Sequence, residues 1–237
     1  MRAKRWTPRC PKRRDRQGLR RHCTAMAASS QKPADSRRAA ASTQEAAAGP
    51  NWPSRMRCIE LLRLDPGDTV LDVGCGTGLN FEPLLEHIGR KGLLLAFEPD
   101  PALHAQAAVR AQGLRAQGWR IELQCASAHE VRLQARPDAV LFHYVHDIAS
   151  SPAAVANLFA QFAPGTRLAI AGVKSLPWWR GPFARWAWLK IRPRAAHRST
   201  LREPWMLVAP RLQGFKWKTT QRGMGYIGSG RVRGAGL

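Results

Sequence analysis

Short apolar runs alternate with amphipathic segments along the middle of the chain. The amphipathic segments are about a dozen residues long with helical periodicity, and one of them, PALHAQAAVRAQG, begins with proline and ends with glycine. This alternation predicts a parallel sheet with helices on both faces, a Rossmann-like, doubly wound α/β fold. The apolar runs are TVLDVG, GLLLAFEP, RIELQCA, DAVLFHYV and TRLAIAGV.

The two ends of this pattern differ from its middle. Ahead of the first apolar run, SRMRCIELLRL predicts a helix. At the C-terminal end, the stretches GFKWKTTQRG and GMGYIGSGR follow each other with only a short turn between them, which predicts an antiparallel pair. The expected sheet therefore has seven strands and is mostly parallel, with an antiparallel last strand.

Regular patterning begins only at residue 51. Residues 1–50 are Arg-rich at first and Ala-rich afterwards, without sustained apolar periodicity. They bury too little apolar surface to offset the entropy of ordering, so we expect a disordered basic tail in front of a domain formed by residues 51–237. Met26 is an alternative start that leaves the Arg-rich piece outside the native product.

The net charge of +22 is concentrated at the two ends of the chain. Residues 1–50 hold 13 lysines and arginines against 3 acidic residues, and residues 174–237 hold 14 against 1. Residues 51–173 hold 11 against 12, so the central part is close to neutral. Basic ends of this kind are usually solvated appendages and do not by themselves identify a nucleic-acid-binding domain.

The remaining composition argues against several classes of protein. The five cysteines are scattered and form no CxxC pair, which argues against a disulfide framework and against a zinc site. No apolar stretch approaches the roughly 18 residues of a membrane-spanning helix, and no apolar core of a signal peptide follows the Arg-rich N-terminus. We therefore expect a cytoplasmic protein without a bound metal.

The stretch VLDVGCGTGLNF, residues 70–81, contains three glycines in five positions directly after an apolar run. In a doubly wound sheet, a ligand lies across the strand ends at this loop, close to bare backbone and helix-terminal N–H groups. The dinucleotide fingerprint GxGxxG/A requires a small residue at position 79, where this chain has Leu79. This mismatch counts against an NAD-dependent oxidoreductase, which remains an alternative.

The glycine loop resembles the nucleotide-binding motif of class I S-adenosylmethionine-dependent methyltransferases, and the resemblance extends over residues 52–230. The second apolar run ends at Glu98, 20 residues after Gly78, where an acid in this family binds both ribose hydroxyls of the cofactor. The segment LQCASAHE resembles the one that holds the adenine. The resemblance thus implies that S-adenosylmethionine is bound by Asp72, Gly74, Cys75, Gly76, Gly78, Glu98, Ser127, Ala128 and His143.

Candidate chemistry lies after the fourth apolar run, in LFHYVHDIASS. Methyl transfer needs an aligned nucleophile, exclusion of water and, for some acceptors, a base. His146 next to Asp147 is a candidate general base because histidine titrates near neutral pH, but the imidazoles could instead pack or cap the loop. The resemblance puts His143 and Tyr144 along the cofactor or the substrate, and we expect Tyr144 on the substrate side. Asn80 is expected to make a loop or cap contact.

Residues 178–200 form an insert after the fifth apolar run that is rich in tryptophan and arginine, and Trp178 and Trp179 are expected on the substrate side. This composition suits a membrane interface, anionic headgroups or a lid over an apolar substrate. Its apolar residues spread round the whole axis of a helical projection, so packing over the sheet is the alternative. Peripheral membrane contact through residues 178–194 is an alternative to a purely cytoplasmic location.

Within the family, CGTGLNF and the basic aromatic insert resemble bacterial enzymes that methylate quinone precursors or phospholipid headgroups. The resemblance implies a small-molecule or lipid-like methyl acceptor. The chain has neither the [DN]PP[FY] tetrapeptide of base-amino methylating enzymes after strand four nor a Pro-Cys nucleophile, so nucleic acid is not the expected substrate. The alternative to an enzyme is a non-catalytic S-adenosylmethionine-binding module, or an RNA- or membrane-associated adaptor that uses its basic ends.

Overall fold

The computed structural model describes residues 52–175 and 202–234. The predicted tail, residues 1–50, and the predicted insert, residues 178–200 with Trp178 and Trp179, lie outside the described residues. The helices are α1 (Trp52–Leu62), α2 (Phe81–Ile88), α3 (Pro101–Ala116), α4 (His146–Ala149) and α5 (Pro152–Phe159). The strands are β1 (Thr69–Val73), β2 (Leu93–Phe97), β3 (Ile121–Gln124), β4 (Ala139–His143), β5 (Arg167–Val173), β6 (Leu212–Thr220) and β7 (Gly225–Val232).

The strands form a seven-stranded sheet in the order β3-β2-β1-β4-β5-β7-β6. The first five strands in the chain are parallel to one another. β7 is antiparallel to β5, and β6 is antiparallel to β7. The predicted doubly wound, mostly parallel sheet with an antiparallel end is therefore confirmed.

The strand order reverses between β1 and β4, because the chain builds β2 and β3 on one side of β1 and β4 and β5 on the other. The carboxyl ends of β1, β2, β4 and β5 meet along one edge of the sheet, which we call the carboxyl edge. In open α/β sheets ligands bind outside this edge, at the point where the order reverses. The fold thus directs the search for a site to the loops after β1, β2 and β4.

Both faces of the central strands are buried, which explains why these strands read as continuous apolar runs. On one face, Val70, Leu94 and Leu141 pack with residues of α1, α2 and α3. On the other face, Val73 and Phe142 pack with residues of α5 and the C-terminal strands. This double covering leaves the carboxyl edge as the accessible part of the central sheet.

The end of β4 differs from the prediction. The apolar run DAVLFHYV predicts a strand to residue 145, whereas β4 ends at His143 because Tyr144 has a φ of +61°, outside the extended region. This difference lies at the carboxyl edge. No helix among the described residues is long and apolar enough to cross a membrane.

Candidate active site

The glycine loop follows β1 at the carboxyl edge. Gly74, Gly76 and Gly78 have φ angles of +59°, +58° and +79°, which side-chain-bearing residues rarely adopt. Space is a second requirement at two of them. An added Cβ at Gly74 would lie 2.8 Å from Val145 Cγ1, and one at Gly78 would lie 2.7 Å from the Phe81 ring. An added Cβ at Gly76 would meet nothing within 4 Å, so the middle of the loop faces open space.

Glu98 lies directly after β2 and is held by the backbone of two neighbouring loops. Its Oε2 accepts a hydrogen bond of 2.8 Å from the Gly76 N–H, and its Oε1 accepts one of 3.0 Å from the Asp100 N–H. The residue is 6% exposed and lines the pocket described below. A carboxylate has about four acceptor positions, so each oxygen retains acceptor capacity toward a ligand.

Asp72 lies beneath the glycine loop and is fully buried. Its Oδ1 accepts a hydrogen bond of 2.8 Å from Asn80 Nδ2, while Oδ2 has no hydrogen-bond partner among the described residues. Burial raises the pKa of Asp72 to about 7, against the opposing effects of Asn80 and Arg55. Asn80 makes no side-chain cap hydrogen bond, and its amide instead bonds to Asp72 of β1; it also lines the pocket.

Arg55 completes the buried hydrogen-bond network of Asp72 and Asn80, and it was not predicted from the sequence. It lies on α1, donates a hydrogen bond from its guanidinium to Asn80 Oδ1 and lines the pocket. Burial lowers the pKa of Arg55, and the nearby Asp72 opposes that shift. The signal in the sequence was an arginine inside the predicted helix SRMRCIELLRL. In the structure this arginine is buried, with an exposed fraction of 8%. A buried guanidinium needs an anionic or polar partner.

Two predicted residues line the pocket at the exit of β4. His143 has a buried Nε2 without a hydrogen-bond partner among the described residues, and burial lowers the pKa of His143 to about 3. Tyr144 has a left-handed backbone conformation. Its hydroxyl oxygen accepts a hydrogen bond of 2.9 Å from Gln221 Nε2. Strained non-glycine residues of this kind persist where the surrounding structure fixes them, often at functional sites.

The structure separates His146 from Asp147. Asp147 lines the pocket, and His146 does not. His146 Nε2 accepts a hydrogen bond of 3.0 Å from the Val173 N–H of β5, and an added Cβ at Gly172 would lie 2.3 Å from its ring. Because Nε2 accepts this hydrogen bond it carries no proton, so the ring is neutral with its proton on Nδ1. Burial also lowers the pKa of His146. In this arrangement no lone pair is left to support the predicted role of His146 as a general base.

The segment after β3 lies outside the pocket lining. The Ser127 carbonyl accepts hydrogen bonds from the backbone N–H groups of Glu130 and Val131, and the Ala128 carbonyl accepts one from Asn157. Ser127 and Ala128 therefore stabilise a turn, and their contact with an adenine stays a prediction. Cys75, by contrast, lines the pocket and is 7% exposed.

The pocket at the carboxyl edge has a volume of about 360 Å³. Its polar side chains are those of Arg55, Thr77, Asn80, Glu98, His143, Tyr144 and Asp147. Apolar side chains close the remaining walls, among them Leu79, Pro99, Leu103 and Ile148. A concave site with few, convergent polar groups is typical of small-molecule and cofactor binding.

A family profile described as a methyltransferase domain matches residues 38–216, which is more than half of the chain. The chain belongs to this methyltransferase family. The resemblance of the glycine loop to class I S-adenosylmethionine-dependent methyltransferases is thereby confirmed, and S-adenosylmethionine is the cofactor of the methyltransferase. No curated protein sequence matches the chain.

Solved structures share the fold of the methyltransferase at low sequence identity. The N-methyltransferase NodS from Bradyrhizobium japonicum is 15% identical, with a TM-score of 0.53 over 78% of this chain and 99% of that chain. An S-adenosylmethionine-dependent methyltransferase from Aquifex aeolicus is 16% identical, with a TM-score of 0.53 over 81% and 97%. The [4+2]-cyclase SpnF is 17% identical, with a TM-score of 0.56 over 78% and 82%. Because a cyclase is among them, the shared fold alone does not define the reaction.

The residues that line the pocket of the methyltransferase fit this cofactor. Glu98 offers acceptors for a pair of hydroxyls, and the Arg55 guanidinium is a donor for a carboxylate. The open space at Gly76 leaves room for a ligand against the loop. The carboxyl of Asp72 is buried outside the pocket lining, and its charge suits the cationic groups of the cofactor.

Paired substitutions separate a structural role of His146 from a catalytic one. His146→Leu leaves the Val173 N–H unpaired, and we expect it to lower the free energy of unfolding by about 1–3 kcal/mol. His146→Gln retains a side-chain acceptor and should lose less stability. We expect both variants to keep their methyl-transfer kcat per folded molecule within a few-fold of the parent, measured beside urea unfolding. A His146→Gln variant of parental stability whose kcat falls a hundredfold would contradict this account.

Proposed function

We propose that this methyltransferase transfers the methyl group of S-adenosylmethionine to a small-molecule or lipid-like acceptor of the quinone-precursor or phospholipid-headgroup type. The observation that carries the proposal is the distribution of polar groups in the pocket. Glu98 lies after β2, whereas His143 ends β4 and Tyr144 and Asp147 follow it, on the other side of β1. The pocket therefore has a cofactor end and an acceptor end.

We assign the cofactor end to three side chains. Glu98 binds the ribose hydroxyls through the acceptor capacity that its backbone hydrogen bonds leave free. Arg55 binds the methionine carboxylate, and the buried Asp72 acts through Asn80 and through its charge, because it does not itself reach the pocket. When bound, the cofactor supplies an electrophilic methyl group on a sulfonium.

We assign the acceptor end to the loop after β4. His143 is neutral at physiological pH because burial lowers its pKa to about 3, so it can hydrogen-bond an acceptor without repelling the sulfonium. Tyr144 is fixed by Gln221 and borders the acceptor. Asp147 is the anionic group on this side of the pocket lining, and it takes the proton that an O–H or N–H acceptor loses as its bond to the methyl carbon forms.

Removal of the carboxylate at Asp147 tests its assigned role. General-base catalysis contributes about 10²–10⁴ in rate, so we expect Asp147→Asn to lower kcat by about a hundredfold or more. The affinity for S-adenosylmethionine should change by less than about threefold, since the cofactor contacts assigned above remain. Glu130→Gln, an exposed carboxylate outside the pocket lining, serves as the matched control. Equal kcat values for the two variants would show that Asp147 does not act as the general base.

The acceptor class is tested by following a labelled methyl group. The full chain is incubated with methyl-labelled S-adenosylmethionine and, separately, with a prenylated catechol, with phosphatidylethanolamine vesicles and with total RNA. We expect label in one of the two organic-soluble acceptors and none in RNA. Label in RNA alone would overturn the proposed acceptor class and leave the family assignment intact. Binding of the cofactor without labelling of any acceptor would favour a non-catalytic module.

A further inference from the structure

β6 forms the outer edge of the sheet and is largely exposed. Trp217 is 45% exposed, and its ring packs on the buried Trp205 ring at a centroid distance of 4.1 Å. The Lys174 ammonium lies 5.7 Å from the Trp217 ring centroid, and Met206, next to Trp205, is 57% exposed. Lys216 and Lys218 are exposed on either side of Trp217 in the chain. We call the surface formed by Lys174, Trp205, Met206, Lys216, Trp217 and Lys218 the Trp217 edge.

Positive charge is concentrated in the part of the described structure that contains β6. Residues 202–234 hold 7 lysines and arginines against 1 acidic residue, Glu203. Residues 52–175 hold 12 against 12. Successive side chains of a strand point to opposite faces of the sheet, so Lys216 and Lys218 lie on the face opposite to Trp217, and the two faces meet at the rim of this edge strand. The Trp217 edge thus combines the exposed apolar surface of Trp217 and Met206 with the ammonium groups of Lys174, Lys216 and Lys218.

The Trp217 edge adjoins the mouth of the pocket. Lys174 directly follows β5 at the carboxyl edge, and its N–H bonds to the Met224 carbonyl. β6 ends at Thr220, and the next residue, Gln221, donates a hydrogen bond to the hydroxyl of Tyr144, which lines the pocket. A partner that docks on the Trp217 edge is therefore brought next to the site.

We propose that the Trp217 edge docks on an anionic lipid bilayer. Tryptophan and methionine side chains enter the headgroup region, while lysines beside them pair with anionic headgroups and keep their ammonium groups in water. Nucleic acid fits less well, because a base stacked on Trp217 would have to displace Trp205 or Lys174 from the ring. The docking does not depend on the identity of the methyl acceptor.

The test compares two charge-matched double variants of the full chain in a vesicle sedimentation assay. Lys216→Gln with Lys218→Gln removes two charges from the Trp217 edge. Lys91→Gln with Arg136→Gln removes two exposed charges. These residues precede β2 and β4 and therefore lie where the strands begin, opposite to the carboxyl edge. The vesicles contain equal parts of phosphatidylglycerol and phosphatidylcholine. We expect the first variant to partition roughly tenfold to thirtyfold more weakly than the parent, and the control to stay within about twofold.

A third variant, Met206→Ser, removes exposed apolar surface and no charge. We expect it to weaken vesicle binding severalfold and to leave the binding of oligouridine RNA unchanged. The proposal is overturned if the two double variants weaken vesicle binding equally or not at all. It is also overturned if Met206→Ser binds vesicles as the parent does. Thermal unfolding of each variant confirms the fold, and the assay contains neither cofactor nor acceptor, so a failure of the proposed methyl transfer would be seen separately.

Discussion

Replacing Glu98 with alanine is expected to weaken the binding of S-adenosylmethionine by about a hundredfold or more. The carboxylate lies in the pocket with one acceptor position of each oxygen used by a backbone N–H. Each hydrogen bond from a ribose hydroxyl to this charged group contributes about 1.5–3 kcal/mol, and both are lost in the variant. Calorimetric titration of the purified chain measures the change.

The controls for Glu98→Ala address its structural role. The substitution also leaves the Gly76 and Asp100 N–H groups without their present acceptor, so thermal unfolding must show a folded variant. Glu98→Gln keeps an acceptor and a similar shape, and we expect an intermediate affinity. Glu86→Ala, an exposed carboxylate on α2, should bind as the parent does. A folded Glu98→Ala variant of parental affinity would remove Glu98 from the cofactor site.

Replacing Asp72 with asparagine is expected to make the cofactor-free protein more stable than the parent, by an amount that grows with pH. Burial raises the pKa of Asp72 from 3.8 to about 7. Between these values the unfolded chain loses the proton and the native protein keeps it, so the free energy of unfolding of the parent falls as pH rises. Three pKa units correspond to about 4 kcal/mol, a contribution that is present below pH 4 and lost by pH 7.

Urea unfolding of both proteins from pH 4.5 to pH 8 measures this difference. Burial lowers the pKa of His143 to about 3, which gives the opposite slope, but His143 is common to both proteins and cancels in the difference. We expect the curves to diverge up to about pH 7 and to run parallel above it. Curves that are parallel throughout would show that Asp72 titrates normally in the native protein.

The same titration predicts proton release when the cofactor binds. A cationic ligand above the buried carboxyl favours its ionised form and lowers the pKa of Asp72. At pH 6.5, calorimetry in buffers of different ionisation enthalpy should therefore detect protons released by the parent and fewer by Asp72→Asn.

The fold could be predicted because its strands carry strong, local signals. Four of the five parallel strands, β1, β2, β4 and β5, are apolar runs that are almost wholly buried, and the antiparallel end follows from two stretches joined by a short turn. The exit of β4 could not be predicted. Its apolar run continues through Val145, and only the left-handed φ of Tyr144, fixed by the distant Gln221, ends the strand.

The position of the candidate site was predicted from the sequence, but the reasons for its glycines and the contribution of Arg55 were not. The glycine loop and Glu98 meet at one pocket, as the resemblance to class I methyltransferases implies. All three glycines have positive φ angles, and at Gly74 and Gly78 the side chains of Val145 and Phe81 also leave no room for a Cβ. Arg55 joins the site from a helix that precedes the motifs, a contact that only tertiary packing creates.

At the exit of β4, the residue types suggested a catalytic pair that the geometry does not support. His146 and Asp147 are adjacent in sequence, which suggested a base and its neighbour. At this helix start they diverge, with Asp147 toward the pocket and His146 toward the Val173 N–H. Adjacent residues in a helix point about 100° apart, so adjacency alone does not pair them.

The central claim is that the pocket at the carboxyl edge binds S-adenosylmethionine against the glycine loop. Calorimetric titration of the purified full chain with S-adenosylmethionine, and in parallel with NAD, tests it most directly. The account predicts one equivalent of S-adenosylmethionine bound with micromolar affinity and no heat with NAD. Binding of NAD alone would contradict it and assign the glycine loop to a dinucleotide.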